Sequence, residues 1–494
     1  MSLGPVFFHS ALPGCVTVMC MWSSPLPVYT VSLSDTEGGT MTVSTRAAVP
    51  GIPFTWRDVP VYTKLALDSS PIWAIATSDH SPAVMRIGSQ APGVDCAAFV
   101  SCNRGPGYFS DMRGDLGAVL ASRVRRAVTN DKKNVYVFHL GDQAYCDQAY
   151  TDLVKFSEER GEPSDAEIAA RFRAEWIRTW KTYALLSSGV HMMVADDHEV
   201  VDGLRFHPNM PPLSAQELRI VAVARAVAEE FMPTNTLAAK DRTVASRSGE
   251  TLFMLQIHRV YPVKVSRGEF LPADDLQLAD QVFNDKFSSS SSSSSSSLPP
   301  SHVVVLCPQP PVFFSTDTCI QLCGQDTKKN ETHFFWAAQG FSASLGRFLS
   351  SAFDWQGGDT EKRRVSFIAG DMHTAVKTRI SDSRSTKGQK IVQYTASPIM
   401  NRVSALPLVT SIQTALMRAH PVIRVQDTKD EFAYTHDLIV YARNFLWWDG
   451  ERGERGERGE KEEFMFTFMD NSGALYTDAA KSSEKEGRGG NTPI

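Results

Sequence analysis

Val135-Tyr136-Val137-Phe138-His139-Leu140-Gly141-Asp142 is the stretch that decides how this chain folds. Six residues dominated by β-branched, aromatic and aliphatic side chains make a run of buried-strand length, and a glycine followed by an acid closes it. The design recurs twice. Val190-His191-Met192-Met193-Val194 runs into Ala195-Asp196-Asp197-His198-Glu199, and Val365-Ser366-Phe367-Ile368-Ala369 runs into Gly370-Asp371-Met372-His373. A fourth apolar run, Cys96–Val100, ends at Ser101-Cys102-Asn103. Ligands of open α/β sheets collect beyond the carboxyl ends of the strands, so these four termini are expected on one edge. Gly141 and Gly370 suit a tight exit and a close approach of backbone to a bound ion.

From about residue 94 onward, apolar strands alternate with longer amphipathic stretches, the pattern of an α/β protein. Phe172, Trp176, Ile177, Trp180 and Tyr183 recur at three- and four-residue spacing and predict a helix over about 165–187; a second is predicted over 215–231. Phe341, Leu345, Phe348 and Leu349 form a further apolar stripe, expected to cover a sheet. Residues 1–93 carry short runs (Val28–Leu33, Met41–Ser44, Val61–Ala66, Ile72–Ala76) punctuated by Pro and Gly, and read as a small β-rich N-terminal region. Residues 94–480 then form the main domain. An insertion around 235–310 holds the run Ser288–Ser297, too polar to pack, and 481–494 read as a disordered tail. The Glu-Arg-Gly triplets at 451–459 lie between the strand-like runs Ala442–Trp448 and Phe464–Met469, as an expanded hairpin loop would.

The composition narrows the function classes. With 494 residues, 42% hydrophobic and 21% charged, the chain has ample material for a large core and is not a disordered or fibrous protein. Fifty Lys and Arg against 55 Asp and Glu leave a charge of −5, so no nucleic-acid partner is expected. Eight cysteines without a Cys-x-x-Cys pair indicate neither a disulfide scaffold nor a zinc ribbon. The first 45 residues hold no Lys or Arg, and Pro13, Pro25 and Pro27 interrupt the apolar run 5–32. Neither a signal peptide nor a transmembrane helix is predicted; the compartment stays open, with the cytoplasm favoured over a cleaved leader.

Convergent carboxylates repel one another unless cations sit among them, so an edge carrying Asp142, Asp197, Asp371 and His373 implies metal. Hard oxygen donors with an imidazole suit a pair of ions about 3.5–4 Å apart, the arrangement used to hydrolyse phosphate esters. Singly, each motif has a plain alternative: a Gly-Asp after a strand is commonly a turn, and Asp-Asp-His-Glu can be a polar helix start. A buried Cys is most often a small apolar core residue. The conjunction in one chain favours the metal site.

These residues resemble the PhoD-like branch of the metallophosphoesterases, the alkaline phosphatase D family. The matching pieces are Ser101-Cys102-Asn103, Gly141-Asp142-Gln143-Ala144-Tyr145-Cys146-Asp147, Asp196-Asp197-His198-Glu199-Val200-Val201-Asp202-Gly203 and Gly370-Asp371-Met372-His373, with a weaker match over Tyr394–Asn401. The similarity spans roughly 94–470, with a break at 235–310. It implies a metallophosphoesterase-type sandwich of β-sheets flanked by helices, and a two-metal centre hydrolysing a phosphate mono- or diester of a small molecule or lipid. By the resemblance Asp142 bridges both metals. Cys102 and Tyr145 ligate one, joined by His373, and Asp197 and Asp371 complete the second; which metal Asp371 and His373 each face stays open. Thiolate and phenolate favour a trivalent iron, and the harder site suits calcium, magnesium or manganese. His198 takes the place of the catalytic histidine, a proton donor to the leaving group, with Glu199 orienting its ring. Asp202 reads equally as a partner of the site or a turn acid. Cys319 stands where many relatives carry Arg. The alternative function is a protein that kept the fold and binds metal without turnover.

Overall fold

The computed structural model describes residues 3–9, 15–21, 28–34, 40–46, 54–60, 72–77, 80–86, 93–104, 113–204, 213–256, 273–284, 300–315, 317–319, 342–359, 362–384, 388–401, 407–419, 421–425, 431–450 and 464–478. The run Val61–Ala66, the Ser-rich segment, the Glu-Arg-Gly triplets and the C-terminal tail lie outside the described residues.

Strict alternation of side chains decides the layering. In Val135–Leu140, Val135 and Val137 pack on one face while Tyr136, Phe138 and Leu140 pack on the other. In His302–Cys307, Val304 and Leu306 face the same inner core, while Val303, Val305 and Cys307 face outward. Strands buried on both faces need a second sheet on one side and helices on the other. The result is an α/β sandwich: two sheets face to face, with helices on each outer side. Phe99, Phe138 and Val194 from one sheet meet Phe253, Leu306 and Ile368 from the other in the shared core. Leu116–Thr129, Asp165–Trp180 and Ala215–Phe231 cover the first sheet. Ala273–Phe283 and Ser342–Gly358 cover the second, with Leu345, Phe348 and Leu349 of the expected stripe in that contact.

Among the described residues the first sheet has nine strands, in the order Leu475–Thr477, Phe464–Met469, Arg443–Asp449, Cys96–Val100, Val135–Leu140, Val190–Val194, Leu3–His9, Cys15–Met21 and Phe54–Pro60. Its centre is parallel: Cys96–Val100 and Val190–Val194 flank Val135–Leu140 in the same direction, so three carboxyl ends lie side by side. Leu3–His9 extends that parallel set through Phe8 opposite His191. Arg443–Asp449 and Phe464–Met469 pair antiparallel, as the hairpin reading expects. The second sheet has eight strands among the described residues, including the parallel trio Thr251–Leu255, His302–Cys307 and Arg364–Ala369. Val28–Ser34, Thr40–Arg46, Ile72–Thr77 and His80–Arg86 form a separate four-stranded sheet.

The helix expected over 165–187 is shorter than the periodicity suggests. Ser164 caps its start in a reciprocal box with Glu167, and the helix ends at Trp180. The chain turns extended at Tyr183 and re-enters a short 3-10 turn, Ala184–Ser187, which keeps Tyr183 and Leu185 buried on the same core. The apolar spacing therefore outlives the helix. The helix at 215–231 starts with the same capping box, Ser214 with Glu217, and spans Ala215–Phe231.

The two sheets touch where their strands end. A β-carbon at Gly370 would strike the Leu140 carbonyl oxygen and stand 2.7 Å from Ser101 Cβ. Gly370→Ala is accordingly expected to lower unfolding stability by about 1–3 kcal/mol, as overpacking does. Chemical denaturation would check this; an unchanged midpoint would show that the sheets are not in contact there.

Candidate metal centre

Main-chain bonds tie the exits of Cys96–Val100 and Val135–Leu140 together before any side chain is considered, and Cys146 N–H on His198 O at 2.8 Å joins the loop after Val190–Val194 to them. Cys102 N–H donates to Gly141 O at 3.2 Å and Asn103 N–H to Asp142 O at 2.8 Å. Ile399 N–H reaches Ser101 O at 3.0 Å, and Gly370 N–H reaches Pro308 O at 2.9 Å. At these exits the backbone takes the left-handed conformation in residues that are not glycine: φ is 56° at Cys102, 57° at Asp142, 70° at Asp371 and 45° at His373. Each such residue costs about 1–2 kcal/mol against ordinary backbone. Among the described residues Lys132 is the other non-glycine of this kind, so the strain is concentrated where the candidate ligands are.

The side chains converge as the strand ends do. Cys102 Sγ lies 3.2 Å from Asp142 Oδ2, and Tyr145 Oη lies 3.3 Å from the same oxygen and 3.1 Å from His373 Nε2. Ligand atoms of Cys102, Asp142 and His373 all fall within 4.8 Å of one another, and so do those of Asp142, Asp197 and His198. Asp142 belongs to both groups. Its Oδ1 is buried and has no hydrogen-bond partner. A buried, unpartnered carboxylate oxygen between two donor sets fits a bound cation. Asp371 stands differently from Asp142. Its carboxylate accepts from Gln309 Nε2 at 3.2 Å and its carbonyl oxygen lies 3.4 Å from Cys102 Sγ; neither donor group includes it.

Protonation reflects the crowding. Burial, with Asp197 and Asp371 nearby, pushes the Asp142 carboxyl up to about 7 against the pull of His198. Burial and the neighbouring Asp142 and Asp371 charges push the Cys102 thiol well up, although Ser397 Oγ donates to its sulfur at 3.0 Å. Burial likewise raises the Tyr145 phenol. His373 is driven the other way, down to about 3, by burial and by the positive His198 and Arg104, so its imidazole is neutral. Asn401 Nδ2 donates to Tyr145 Oη at 2.6 Å and to His373 Nε2 at 3.0 Å, which holds phenol and imidazole side by side at the cluster.

His198 has a different partner from the one its neighbours in sequence suggest. Glu199 does not orient the ring. Its carboxylate accepts backbone N–H groups from Asp142 at 3.2 Å, Ala144 at 3.1 Å, Asp196 at 2.6 Å and also from Gln143. Burial and the Asp142 charge push the Glu199 pKa well up, while the N–H groups converging on its two oxygens pull it back and suit a carboxylate as acceptor. The ring is held instead by Asp147, both of whose oxygens lie 3.0 Å from His198 Nδ1. Asp147 is the last residue of the Gly141–Asp147 piece and opens the Asp147–Arg160 helix. Its spacing from Asp142 is the signal that could have drawn attention to it. Asp202 donates its N–H to Asp147 at 2.7 Å and places a carboxylate oxygen 4.0 Å from His198 Nε2. Asp197 accepts from His198 N–H at 3.1 Å and from Gly203 N–H at 2.7 Å.

Behind the pocket, His139 Nδ1 meets Gln143 Oε1 at 2.8 Å and His139 Nε2 meets His191 Nδ1 at 2.9 Å, all fully buried. Burial holds His139 down to about 3, a neutral ring that positions the loop carrying Asp142. Cys319 lies away from this chemistry, buried in the core of the second sheet with its N–H on Ser315 O.

The fold has a solved counterpart. The structure of PhoD superposes with a TM-score of 0.52 over 96% of this chain and 91% of that one, at 14% sequence identity. That likeness shows a PhoD-type fold. A cycloisomaltooligosaccharide glucanotransferase from Paenibacillus sp. (13% identity, TM-score 0.18, 79% of this chain and 59% of that chain) and a Bacteroides uniformis beta-glucuronidase (8%, 0.20, 77% and 41%) align poorly and carry no argument. No protein-family model and no curated protein matches the sequence. Among the described residues no helix is long and apolar enough to cross a membrane.

Glu199→Gln turns one acceptor into a donor facing buried N–H groups, and should cost about 2 kcal/mol or more. Thermal and chemical unfolding of the variant would measure it; wild-type stability would mean that the carboxylate does not hold the two strand exits.

Proposed function

We propose that this chain is a metal-dependent phosphoric ester hydrolase. The observation that carries the reading is Asp142, a buried carboxylate with an unpartnered oxygen, common to two donor groups. Cys102, Tyr145, Asp142 and His373 would hold one ion, and Asp142 and Asp197, with Asp371 beside them, a second. The soft thiolate and the phenolate suit iron at the first position; oxygen donors suit calcium, magnesium or manganese at the second. Bound there, the ions would lower the pKa of water and offset charge on the phosphoryl oxygens.

The chain's own residues supply the rest. His198 is the proton donor. Burial disfavours its charge, but Asp142, Asp147 and Asp197 outweigh that and hold its pKa well above the ordinary imidazole value. With Nδ1–H given to Asp147, Nε2–H points to the leaving alcohol and protonates it as the ester bond breaks. Asp147 fixes the tautomer and remains a counter-charge when cations neutralise Asp142 and Asp197. Glu199 keeps the Asp142 and Asp197 loops together, and Asn401 aims His373 and Tyr145 inward. A phosphate ester of a small molecule or lipid is the substrate class.

Hydrolysis of an aryl phosphate by the metal-loaded protein, with and without chelator, tests the reading. Turnover that chelation abolishes and metal restores is expected; no turnover with any of iron, manganese, magnesium or calcium would favour a metal-binding protein without catalysis. His198→Ala should keep its metal content and lose activity about a hundred- to ten-thousand-fold. Loss of one metal equivalent instead would make His198 a ligand. Asp147→Asn removes a charge that raises the His198 pKa. The alkaline fall of the pH–rate profile, where the imidazolium is lost, should therefore move to lower pH by about one unit or more. An unmoved limb would separate Asp147 from the proton donor.

A further inference from the structure

We infer that Gln309 is a positioning residue of the metal centre, whose side-chain amide holds the Asp371 carboxylate in place as a ligand for the second cation. This rests on the two-ion reading above and adds to that site a residue from a neighbouring strand exit. Gln309 lies two residues beyond His302–Cys307, which pairs in parallel with Arg364–Ala369, the strand that leads into Asp371. Gly370 N–H on Pro308 O at 2.9 Å joins the two exits just ahead of Gln309 and Asp371. Pro308 and Pro310 flank Gln309 and restrict the local backbone. Further along the loop the Gln393 side chain clamps Val312, accepting its N–H at 2.9 Å and donating to its carbonyl oxygen at 2.6 Å. From that fixed base Gln309 Nε2 donates to Asp371 Oδ2 at 3.2 Å.

Stability does not account for this amide. Gln309 is 1% exposed, and its Oε1 is buried without a hydrogen-bond partner. A buried acceptor left unmade is destabilising, and an apolar side chain of the same shape would avoid the cost. Turning the amide over would set Oε1 against the Asp371 carboxylate, one acceptor facing another. Among the described residues the bond to Asp371 is the one hydrogen bond the Gln309 side chain makes, so its contribution passes through that contact. The main chain of Asp371 is set separately, by left-handed backbone at φ 70° with its carbonyl oxygen 3.4 Å from Cys102 Sγ. The amide therefore governs the direction of the carboxylate alone. Asp371 is half-buried, and neither compact donor group includes it, so its carboxylate serves a cation only if it is kept from turning to solvent. An amide on one lone pair of Oδ2 supplies that restraint and leaves the remaining lone pairs for the ion. Hydrogen bonds to a ligating carboxylate act in this way at metal sites generally, and losing one weakens metal binding.

The test titrates manganese(II) into the full chain carrying one equivalent of iron(III), with free manganese counted by electron paramagnetic resonance. Wild type is compared with Gln309→Met, Gln309→Glu, Asp371→Ala and the double variant Gln309→Met, Asp371→Ala. Gln309→Met should bind manganese about 10- to 100-fold more weakly while its iron content stays that of wild type. In the Asp371→Ala background the same substitution should change manganese affinity by less than about twofold, because the residue it acts through is gone. Gln309→Glu loses the donor and sets a like charge against Asp371, so it should weaken binding as well, and it decides alone if Gln309→Met does not fold. Unchanged affinity in either single variant, an equal loss with and without Asp371, or tighter binding by Gln309→Glu would overturn the inference and leave the metal centre standing. A wild-type chain that takes up no manganese would instead bring down the two-ion reading, and this inference with it.

Discussion

The Glu199 carboxylate sits between the exits of two parallel strands and accepts main-chain N–H groups from both. Inside a low-dielectric core a fully satisfied carboxylate is fixed in place, and so are the groups that donate to it. The positions of Asp142 on one loop and Asp197 on the other follow from that bond set. Left-handed backbone at Asp142 persists because the surroundings over-determine it, with Glu199 on its N–H and Asn103 on its carbonyl. His139 and Gln143 brace the same loop from behind.

A scaffold this rigid holds its ligand atoms closer than their charges would choose. Carboxyl, thiol and phenol are all displaced toward their protonated forms by burial and by one another. Any cation entering the cluster therefore has to displace protons. Affinity for such a cation must rise with pH, since each ligand binds only after deprotonation. The neutral imidazole of His373 is the exception, ready as it stands.

The strands and their terminal acids could be read in advance because both signals are local: a buried run, then Gly-Asp or Asp-Asp. The sandwich was implied only by the resemblance; in the structure, strands apolar on both faces account for it. Pairings across the chain could not be read in this way. Asp147 and His198 are 51 residues apart, and only the direction of the helix that Asp147 opens brings them together. Glu199 was misread for the opposite reason. Adjacent residues in a tight 3-10 turn point different ways, so closeness to His198 in sequence says nothing about contact with its ring. The contact of the Asp371 carboxylate with Gln309 could not be read either, because Gln309 comes from a loop with no pattern of its own. The helix end at Trp180 was hidden because Tyr183 stays on the apolar face after the helix has stopped.

The pairing of Cys96–Val100 with Arg443–Asp449 joins segments some three hundred and fifty residues apart in the chain. Asn444, on the later strand, also pins the loop around Ser397, with its N–H on Pro398 O and its amide on Ser397 O. A ribosome delivering this protein must therefore pass residue 449 before the first sheet can close and the Ser397 loop can settle. During that interval the backbone edge of the 96–100 strand stands open to wrong partners, and closure over so long a loop is slow. Folding of this chain is thus a late, collective event, with a long window in which chaperone protection matters.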